Sequence, residues 1–426
     1  MKSFKTSVFS SDLIGDKYER IDHPSGLTVI VFPKKLTTTY AILGVNCGSI
    51  NSNSVIDGKD ITFPDGVAHF IEHKLFTNED GSDSFERFSD YGADANAYTS
   101  FNRTAYLFSC TENFEQSLGE LMDFVTHPYF TEESVESEKP IITEEIKMYD
   151  DSPSEACLYG MLEGMYLNNR VKNNICGSPK TISDITAKTL YDFYKSFYKL
   201  SNMYLIVCGN VTTEQVMSAT EPYLSGYTYS APSEYSSCES EPLYVASEYV
   251  EKKMQVSKPL FSIGFKDNSI PDDEESRYRK DAGMAILNEM LFSRATDIYA
   301  SLYDRGIISS PNLSYGYTIS QTFAYNFISG EADDPRAVLA EITDYIKSTV
   351  LCSEDFERGK RVMYAEFVKV FDSSESIANT LLSFAGDGVD CLSYGQMIEN
   401  VTFDDISRLF DELKGMPTTL CSVIPM

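Results

Sequence analysis

The 426-residue sequence predicts an α+β protein with two homologous α/β-sandwich domains that arose by internal duplication. Segments with strand character and segments with helical periodicity alternate along the chain, which is typical of mixed folds. Three segments of the first half recur, in the same order, in the second half. Between the halves, a Ser-, Tyr- and Glu-rich stretch at 225–242 is poor in aliphatic residues and predicts a linker.

The first half opens with strands and continues mainly with helices. Residues 27–32 are β-rich, as in a buried strand, and residues 39–45 form a second such segment. Asp65 is placed to cap a helix that starts at Gly66. Further helices are expected at 82–91, 112–126, 132–149, 154–166 and 184–197, before the chain returns to a strand at 201–211.

The recurrence in the second half has a nearly constant separation of 216 to 221 residues. Residues 66–76, 97–108 and 118–124 align with 282–292, 316–327 and 339–345, respectively. Glu145 then falls opposite Glu366. Convergent α/β patterning is the alternative, but three matches in one order favour duplication. We therefore expect domains at 1–228 and 251–426, joined by a linker at 229–250.

The composition excludes several classes of protein. The chain has 35 Lys and Arg against 64 Asp and Glu, a formal net charge of −29, which argues against nucleic acid as a partner. Hydrophobic residues make up 42%, too many for a disordered chain. No apolar run approaches the roughly 18 residues that a membrane span needs. The acidic residues either form a solvated, self-repelling surface or line a chamber that favours cationic peptides.

The cysteines point to a reducing compartment. They are odd in number, contain no C-x-x-C pair and lie mostly in apolar stretches, which is typical of buried free thiols and not of a disulfide framework or a thiolate zinc site. The N-terminal residues also lack the continuous apolar core of a signal peptide. We expect a cytoplasmic protein with no membrane partner. The cysteines are Cys47, Cys110, Cys157, Cys176, Cys208, Cys238, Cys352, Cys391 and Cys421.

Two of the four histidines lie one helical turn apart, in the sequence His69-Phe-Ile-Glu-His73. On a helix, His69 and His73 share one face, and Glu72 borders it. Zinc prefers neutral imidazole ligands, and a nearby carboxylate can exchange protons with a reacting water and a leaving amine. The pattern H-x-x-E-H is a known zinc-hydrolase signature. The alternative is a pair of surface histidines on an amphipathic helix.

A third metal ligand should come from another element, and the segment 135–146 offers two candidates. Glu138 and Glu145 are seven residues apart, so they share a face of a helix, where one could bind a metal and the other could support a ligand. Pro140 lies between them and either kinks this helix or begins a new one. Without the histidines, a solvated acidic face would explain these glutamates equally well.

These motifs together resemble those of a known family. The segments that carry the likeness are His69-Phe-Ile-Glu-His73, residues 92–100, Glu138 and residues 144–146. In this order and spacing the chain resembles the pitrilysin–insulysin zinc metallopeptidases, the inverzincins, and especially the small bacterial members that are similar to mitochondrial processing peptidase subunits. The likeness is densest from Asp65 to Val211 and thinner beyond it.

The resemblance implies a fold, a cofactor and roles for individual residues. It implies two homologous domains that form one half of a clamshell peptidase chamber, with one Zn²⁺ per chain in the N-terminal domain. It also implies β-augmentation, in which an edge strand holds an extended peptide by main-chain hydrogen bonds. The roles are His69, His73 and Glu145 as zinc ligands, Glu72 as catalytic general base, Glu138 as the carboxylate behind a ligand, and Asn96, Ala97, Tyr98 and Thr99 as the substrate-binding strand.

The second half lacks the metal motif. Ala285, Asn288 and Glu289 fall opposite His69, Glu72 and His73, so the C-terminal domain cannot build the same site. Relatives also hold the substrate carbonyl with an Arg and a Tyr from the non-catalytic half of the chamber.

In the corresponding segment of this chain, Tyr303 and Ser310 occupy those two positions, and Arg305 is out of register. The resemblance implies four domains per chamber, of which this chain supplies two. We therefore expect a dimer, either a heterodimer with a paralogue that lacks the zinc motif or a homodimer.

Three functional hypotheses follow from the sequence. The leading one is a zinc-dependent endopeptidase that cleaves small or unfolded peptides inside a closed chamber. The alternative is a non-catalytic peptide-binding or scaffold subunit of the same fold, which the retained motif argues against. The third is a peptidase dedicated to one processing substrate, such as a leader peptide.

Overall fold

The structure is a computed structural model that describes residues 5–56, 58–232, 240–309 and 313–426. Its strands are β1 (Lys5–Ser11), β2 (Asp16–Asp22), β3 (Thr28–Pro33), β4 (Thr39–Val45), β5 (Asn53–Ile56), β6 (Lys59–Thr62), β7 (Asp94–Thr99), β8 (Thr104–Cys110), β9 (Met203–Gly209), β10 (Tyr249–Met254), β11 (Leu260–Lys266), β12 (Ser314–Ile319), β13 (Ala324–Glu331) and β14 (Thr418–Pro425).

Helices follow the strands in both halves of the chain. They are α1 (Val67–Leu75), α2 (Ser84–Asp90), α3 (Phe114–Thr126), α4 (Glu132–Asp150), α5 (Pro153–Met165), α6 (Pro179–Ser183), α7 (Ala187–Phe197), α8 (Thr213–Leu224), α9 (Glu274–Phe292), α10 (Asp297–Asp304), α11 (Pro335–Ser348), α12 (Ser353–Lys369), α13 (Ser374–Gly386), α14 (Tyr394–Asn400) and α15 (Phe403–Gly415).

The contacts divide the chain into two compact units, each of which takes in a segment from the other half of the sequence. Unit 1 consists of Met1–Ile146, Asn174–Ser237 and Val368–Leu392, and unit 2 consists of Lys147–Asn173, Cys238–Phe367 and Ser393–Met426. The late helix α13 therefore belongs to unit 1, and the early helix α5 belongs to unit 2. The boundaries at 1–228, 229–250 and 251–426 stay a prediction; residues 233–239 of that linker, with Cys238, lie outside the described residues.

Unit 1 is built on a sheet with the strand order β1-β2-β3-β9-β4-β8-β7. The pair β3–β9 is parallel and the other pairs are antiparallel. Helix α13 packs on β9 and β4, and α1 packs on β7 and β8. Gly44 allows the α13 contact, because a Cβ there would lie 2.4 Å from the Leu382 side chain. The strand β7 lies at the edge of this sheet.

Unit 2 repeats this topology. Its sheet has the order β10-β14-β11-β13-β12, with β10–β14 parallel and the remaining pairs antiparallel. Position by position, this order matches β3-β9-β4-β8-β7 of unit 1. Helix α5 packs on β14 and β11, as α13 packs on β9 and β4. The internal duplication and the mixed α/β fold predicted from the sequence are confirmed.

Several element predictions are right and others need correction. The strand at 39–45 and the helices near 112–126, 132–149 and 154–166 are present within two residues of the expected bounds. The predicted helix cap is wrong: Gly66 is the N-cap residue of α1, and no side chain caps it. Pro140 does not begin a new helix, because α4 runs through it. The strands β1, β2, β5 and β6 and the helix α6 were not predicted.

The predicted burial of the cysteines is borne out with one exception. Cys352 is exposed, whereas the other described cysteines are buried, and the described cysteines form no disulfide. None of the described helices combines the length and the apolar composition that crossing a lipid bilayer requires.

Candidate metal centre and active site

The N-terminus of α1 is held in an unusual backbone conformation. Gly66 has a φ of 89°, in the left-handed region that favours glycine. A Cβ at this position would lie 2.5 Å from the carbonyl oxygen of Cys176. Gly66 therefore lets the loop that contains Cys176 pack directly against the start of the helix that carries the histidines.

The helix α1 brings His69 and His73 together, as their spacing predicts. Their ring centroids are 4.7 Å apart. His69 is buried, with 6% of its surface exposed, while His73 is partly exposed. The Nδ1 atom of His69 has no hydrogen-bond partner among the described residues. Both Nε2 atoms lie next to the same carboxylate, that of Glu145.

Helix α4 supplies this carboxylate. The Glu145 oxygens lie 3.6 Å from His69 Nε2 and 3.3 Å from His73 Nε2. For zinc bonds of about 2.1 Å at tetrahedral angles, two N or O ligands should lie about 3.4 Å apart. The three side chains thus have the donor types of a zinc site, and both distances from Glu145 to the imidazoles are close to this value. Val135, Ile142 and Ile146 bury the adjoining stripe of α4 and fix its position.

Glu138 lies two helical turns before Glu145 on the same face of α4 and contacts His73 and Lys74. Its Oε1 is 3.2 Å from His73 Nδ1, and its Oε2 accepts a hydrogen bond of 3.2 Å from Lys74 Nζ. Carboxylates in this position orient a metal-binding imidazole and set which of its nitrogens carries the proton. Lys74 is buried, so it also neutralises the charge of Glu138.

The charges of the cluster are strongly coupled. Hydrogen bonds from His69 and His73 hold the pKa of Glu145 well below its usual range. Burial acts to lower the pKa of His73, but its hydrogen bonds to Glu138 and Glu145 prevail and raise that pKa to about 9. In the metal-free protein His73 is therefore a cation near neutral pH, and a divalent cation that binds there replaces its proton.

Glu72 lies beside both histidines, with ligand atoms of the three side chains within 4.8 Å of one another. Thr99 Oγ1, at the end of β7, donates a hydrogen bond of 2.5 Å to Glu72 Oε2. Burial raises the pKa of Glu72, although His69 and the Thr99 hydroxyl act in the opposite direction. A carboxylate whose pKa moves towards neutrality is a better general base and a better general acid at physiological pH.

Comparisons with known proteins agree with this geometry. A family model described as "Insulinase (Peptidase family M16)" matches residues 30–178, and one described as "Peptidase M16 inactive domain" matches residues 184–363. The uncharacterized zinc protease YmfH of Bacillus subtilis (strain 168) is 36% identical over 408 residues, which cover 94% of this chain and 95% of that protein. The chain belongs to the insulinase family, peptidase family M16.

Two further proteins extend the likeness over the whole chain. The probable mitochondrial-processing peptidase subunit beta of Schizosaccharomyces pombe is 24% identical over 436 residues, which cover 93% of this chain and 89% of that protein. A crystal structure described as an M16-like peptidase from Alicyclobacillus acidocaldarius superposes with a TM-score of 0.89 at 26% identity, covering 99% of both chains. The M16 assignment thus applies to both halves of the sequence.

The strand that the M16 resemblance assigns to substrate is the edge strand β7. It pairs with β8 on one side, and within unit 1 it is the last strand of the sheet. The Ala97 N–H donates a hydrogen bond of 2.8 Å to the side-chain oxygen of Asn96. The Tyr98 hydroxyl donates one of 3.2 Å to the side-chain oxygen of Asn379. Asn96 therefore occupies a main-chain donor of the strand that an added peptide strand would use. The role of these residues as a substrate platform stays a prediction.

In the second M16 domain, the aligned positions build something else. Asn288 is buried, and its Nδ2 donates 2.7 Å to Asn326. Glu289 accepts 2.9 Å from the Tyr315 hydroxyl and lies 3.4 Å from Arg358. Asn288 Oδ1 and Asn326 Nδ2 have no hydrogen-bond partner among the described residues. All four histidines lie in the first half of the sequence, so this domain has no pair of imidazoles for a metal, as the sequence predicts.

The segment opposite the Arg and Tyr of relatives is only partly described. Tyr303 lies on α10 and is exposed. Arg305 makes a bidentate ion pair with Glu341, with hydrogen bonds of 2.9 Å from Nη1 and 2.6 Å from Nη2 to the two carboxylate oxygens. Ser310 lies outside the described residues. Arg305 is thus engaged within its own unit.

Two features of the site were missed in the sequence. The sequence places Thr99 only in the substrate strand, yet its hydroxyl contacts Glu72. The sequence predicts only a buried thiol at Cys176, yet its sulfur lies 3.7 Å from His69 Nε2. The spacing Asn-Ala-Tyr-Thr hinted at Thr99, since it ends the motif strand. No sequence signal relates Cys176 to His69, because 107 residues separate them.

Proposed function

We propose that this protein is a zinc-dependent endopeptidase that cleaves small or unfolded peptides, among them processing substrates such as leader peptides. The observation that carries the proposal is that the Glu145 carboxylate lies 3.6 Å from His69 Nε2 and 3.3 Å from His73 Nε2. The zinc protease and processing peptidase names of the relatives support it.

The donor set fits zinc. Two imidazoles and one carboxylate are a catalytic set that leaves a position for water. When bound, zinc would supply a Lewis acid that polarises a carbonyl group and lowers the pKa of a water molecule. His69, His73 and Glu145 would hold one ion per chain, and Glu138 would hold His73 in the tautomer whose Nε2 can bind it.

Glu72 then moves the protons of the reaction. The hydroxyl of Thr99 holds its Oε2, which leaves Oε1 to take a proton from the attacking water. The same carboxyl group can return the proton to the nitrogen of the leaving amine when the peptide bond breaks. Because burial raises the pKa of Glu72, the carboxyl group can both accept and release a proton near neutral pH.

The edge strand β7 would hold the substrate. An extended peptide that pairs with β7 would pass Asn96 to Thr99 and arrive beside Glu72, because Thr99 is the last residue of β7 and its hydroxyl contacts Glu72. For pairing, the Asn96 side chain must release the Ala97 N–H. Binding of this kind uses main-chain groups and predicts little sequence preference.

We propose further that the working enzyme is a dimer, either with a paralogue that lacks the zinc motif or with a second copy of this chain. The pairing of Arg305 with Glu341 supports this, since Arg305 is then not available to hold a substrate carbonyl. Buried cysteines without disulfides support a reducing compartment such as the cytoplasm. Full peptidase activity of a purified monomer would contradict the assembly proposal, and sedimentation with an activity assay tests it.

The test of the proposal joins metal analysis with one substitution. Wild-type protein purified without chelator should contain one zinc per chain. E72Q should keep this zinc and lose about 10²- to 10⁴-fold in peptide hydrolysis, because it removes the proton carrier and leaves the ligands. The matched control is E289Q, at a glutamate of the second domain, which should remain active.

Two outcomes would contradict the proposal. Protein without stoichiometric zinc and without hydrolysis of any unfolded peptide would favour the non-catalytic scaffold. Activity of E72Q equal to that of the wild type would remove Glu72 from the mechanism.

A further inference from the structure

Cys176 lies beside His69 and Glu145 at the candidate metal centre. Its Sγ is 3.7 Å from His69 Nε2. The ligand atoms of His69, Glu145 and Cys176 all lie within 4.8 Å of one another. Cys176 is 5% exposed and His69 is 6% exposed, so the contact is shielded from solvent.

The position of this thiol is fixed by its loop. The Cys176 N–H donates 2.9 Å to the side chain of Asn174, and the Gly177 N–H donates 2.9 Å to the Asn174 carbonyl oxygen. Gly177 has a φ of 78°, and a Cβ there would lie 2.5 Å from the Asp65 carbonyl oxygen. Together with the contact of Gly66 against Cys176, this gives two close backbone contacts, each at a glycine, that fix the loop against the start of α1.

The separations also match a shared ion. With a Zn–N bond of about 2.1 Å and a Zn–S bond of about 2.3 Å, two tetrahedral ligands lie about 3.6 Å apart. The 3.7 Å between Cys176 Sγ and His69 Nε2 agrees with this edge. The 3.6 Å between His69 Nε2 and Glu145 Oε1 is a second edge at His69.

We propose that Cys176 is a fourth protein donor to the metal ion held by His69, His73 and Glu145. The inference rests on the proposed zinc site and adds a ligand to it. On binding, the thiol releases its proton to solvent and the thiolate sulfur forms a bond to the divalent ion, with no change in oxidation state. Four protein donors close a tetrahedral site, so a water or a substrate carbonyl must displace the thiolate before hydrolysis.

Cobalt(II) reports this ligand without an activity assay. Wild-type protein loaded with Co²⁺ should show an intense thiolate-to-cobalt charge-transfer absorption in the near ultraviolet. C176A and C176S should bind Co²⁺ with weaker affinity and without this absorption. In competition with a chelator, their Zn²⁺ affinity should fall by at least about tenfold, the lower limit for groups that support a metal ligand.

The control variant is C110A, which removes another buried cysteine of unit 1 and should keep both the absorption and the Zn²⁺ affinity. Absence of the charge-transfer absorption in Co²⁺-loaded wild type overturns the inference even if C176A fails to fold. Cys176 would then only contact the His69 ring as a weak S–H donor. Failure of the proposed function looks different, because wild-type protein would then bind neither Zn²⁺ nor Co²⁺ stoichiometrically.

Discussion

The two halves of the molecule share a topology and differ in what they build at equivalent places. In unit 1, α1 and α4 bring two histidines and two glutamates together beside the edge strand β7. In unit 2, the equivalent helices α9 and α12 pair Glu289 with Arg358, and Tyr315 of the edge strand β12 donates to Glu289. The cluster of unit 1 gathers several carboxylates around His73, whose proton a metal ion could replace. In unit 2, the charge of Glu289 is instead neutralised by Arg358.

The backbone frame does not itself specify a metal site. Both frames hold a helix against an edge strand, and both have a long second helix whose side chains reach the first. What differs is the residue type at a few positions of each helix. Carboxylates around imidazoles attract a divalent cation, whereas an arginine beside a glutamate already neutralises the charge of that glutamate.

The largest expected effect comes from removing an imidazole. H69A should lose stoichiometric zinc and reduce peptide hydrolysis to background, because it removes the buried imidazole whose Nε2 lies beside both Glu145 and Cys176. Metal analysis by mass spectrometry and a fluorogenic peptide assay measure both. The control is H127A, at an exposed histidine beside Asp123, which should change neither; normal zinc content in H69A would refute the ligand assignment.

The pH dependence of zinc binding should be the next largest effect. Without metal, the pKa of His73 is raised to about 9, so at lower pH zinc must displace a proton from it. Because of this proton, the affinity should rise with pH by up to about tenfold per pH unit below the pKa of His73. Calorimetry from pH 6 to 8 in buffers of different ionisation enthalpy should detect the released proton. An affinity that is independent of pH would contradict the charged state of His73.

Glu138 should have a smaller effect through His73. E138Q should weaken zinc binding by about 10- to 100-fold, because it removes the charge that orients and polarises the imidazole. In E138Q the pKa of His73 in the metal-free protein should also fall, since the contact with Glu138 raises that pKa. The control is E144Q, at an exposed position of the same helix. Equal zinc affinity in E138Q and E144Q would mean that Glu138 has no part in binding.

Thr99 should affect catalysis and not metal binding. T99V removes the 2.5 Å hydrogen bond to Glu72 and should lower kcat by roughly tenfold, as expected for a hydrogen bond to a charged group. T99S keeps the hydroxyl and should restore most of the rate, with zinc content unchanged in both. T318V in β12 of unit 2 is the matched control. A change in KM alone would assign Thr99 to substrate binding only.

The smallest effect should come from the ion pair of unit 2. R358Q breaks a partly exposed contact with Glu289 and should lower the free energy of unfolding by about 1 kcal/mol or less. Denaturant unfolding measures this, and zinc content and peptidase activity should not change. A loss of zinc in R358Q would show that the two domains are not separate in function.

Much of the candidate site could be predicted because its members lie at helical spacing. His69, Glu72 and His73 are within one turn, and Glu138 and Glu145 are two turns apart on one face, so local geometry relates the members of each set. The predicted cap of α1 was wrong for a tertiary reason, since Gly66 takes a left-handed conformation and packs against the distant residue Cys176. The strands β1 and β2, at and next to the edge of the sheet, were missed because their largely polar sequences lack a strong apolar pattern.

The exchange of α5 and α13 between the units was also beyond sequence reasoning. Helical periodicity identifies a helix and its apolar face but does not say which sheet covers that face. Gly160 in α5 and Gly44 in β4 make the close contacts that decide the matter, and each is an ordinary glycine in the sequence.

By itself, the sequence determined the duplicated α+β fold, the zinc motif and the carboxylates that accompany it, because these depend on short-range periodicity and on the chemistry of side chains. Only the tertiary structure decided that Glu145 meets both imidazoles, that Thr99 holds Glu72 and that Cys176 lies against His69. Those contacts join residues from 27 to 107 positions apart. Contacts at such separations depend on how sheets, helices and tight glycine turns pack, which no local pattern encodes.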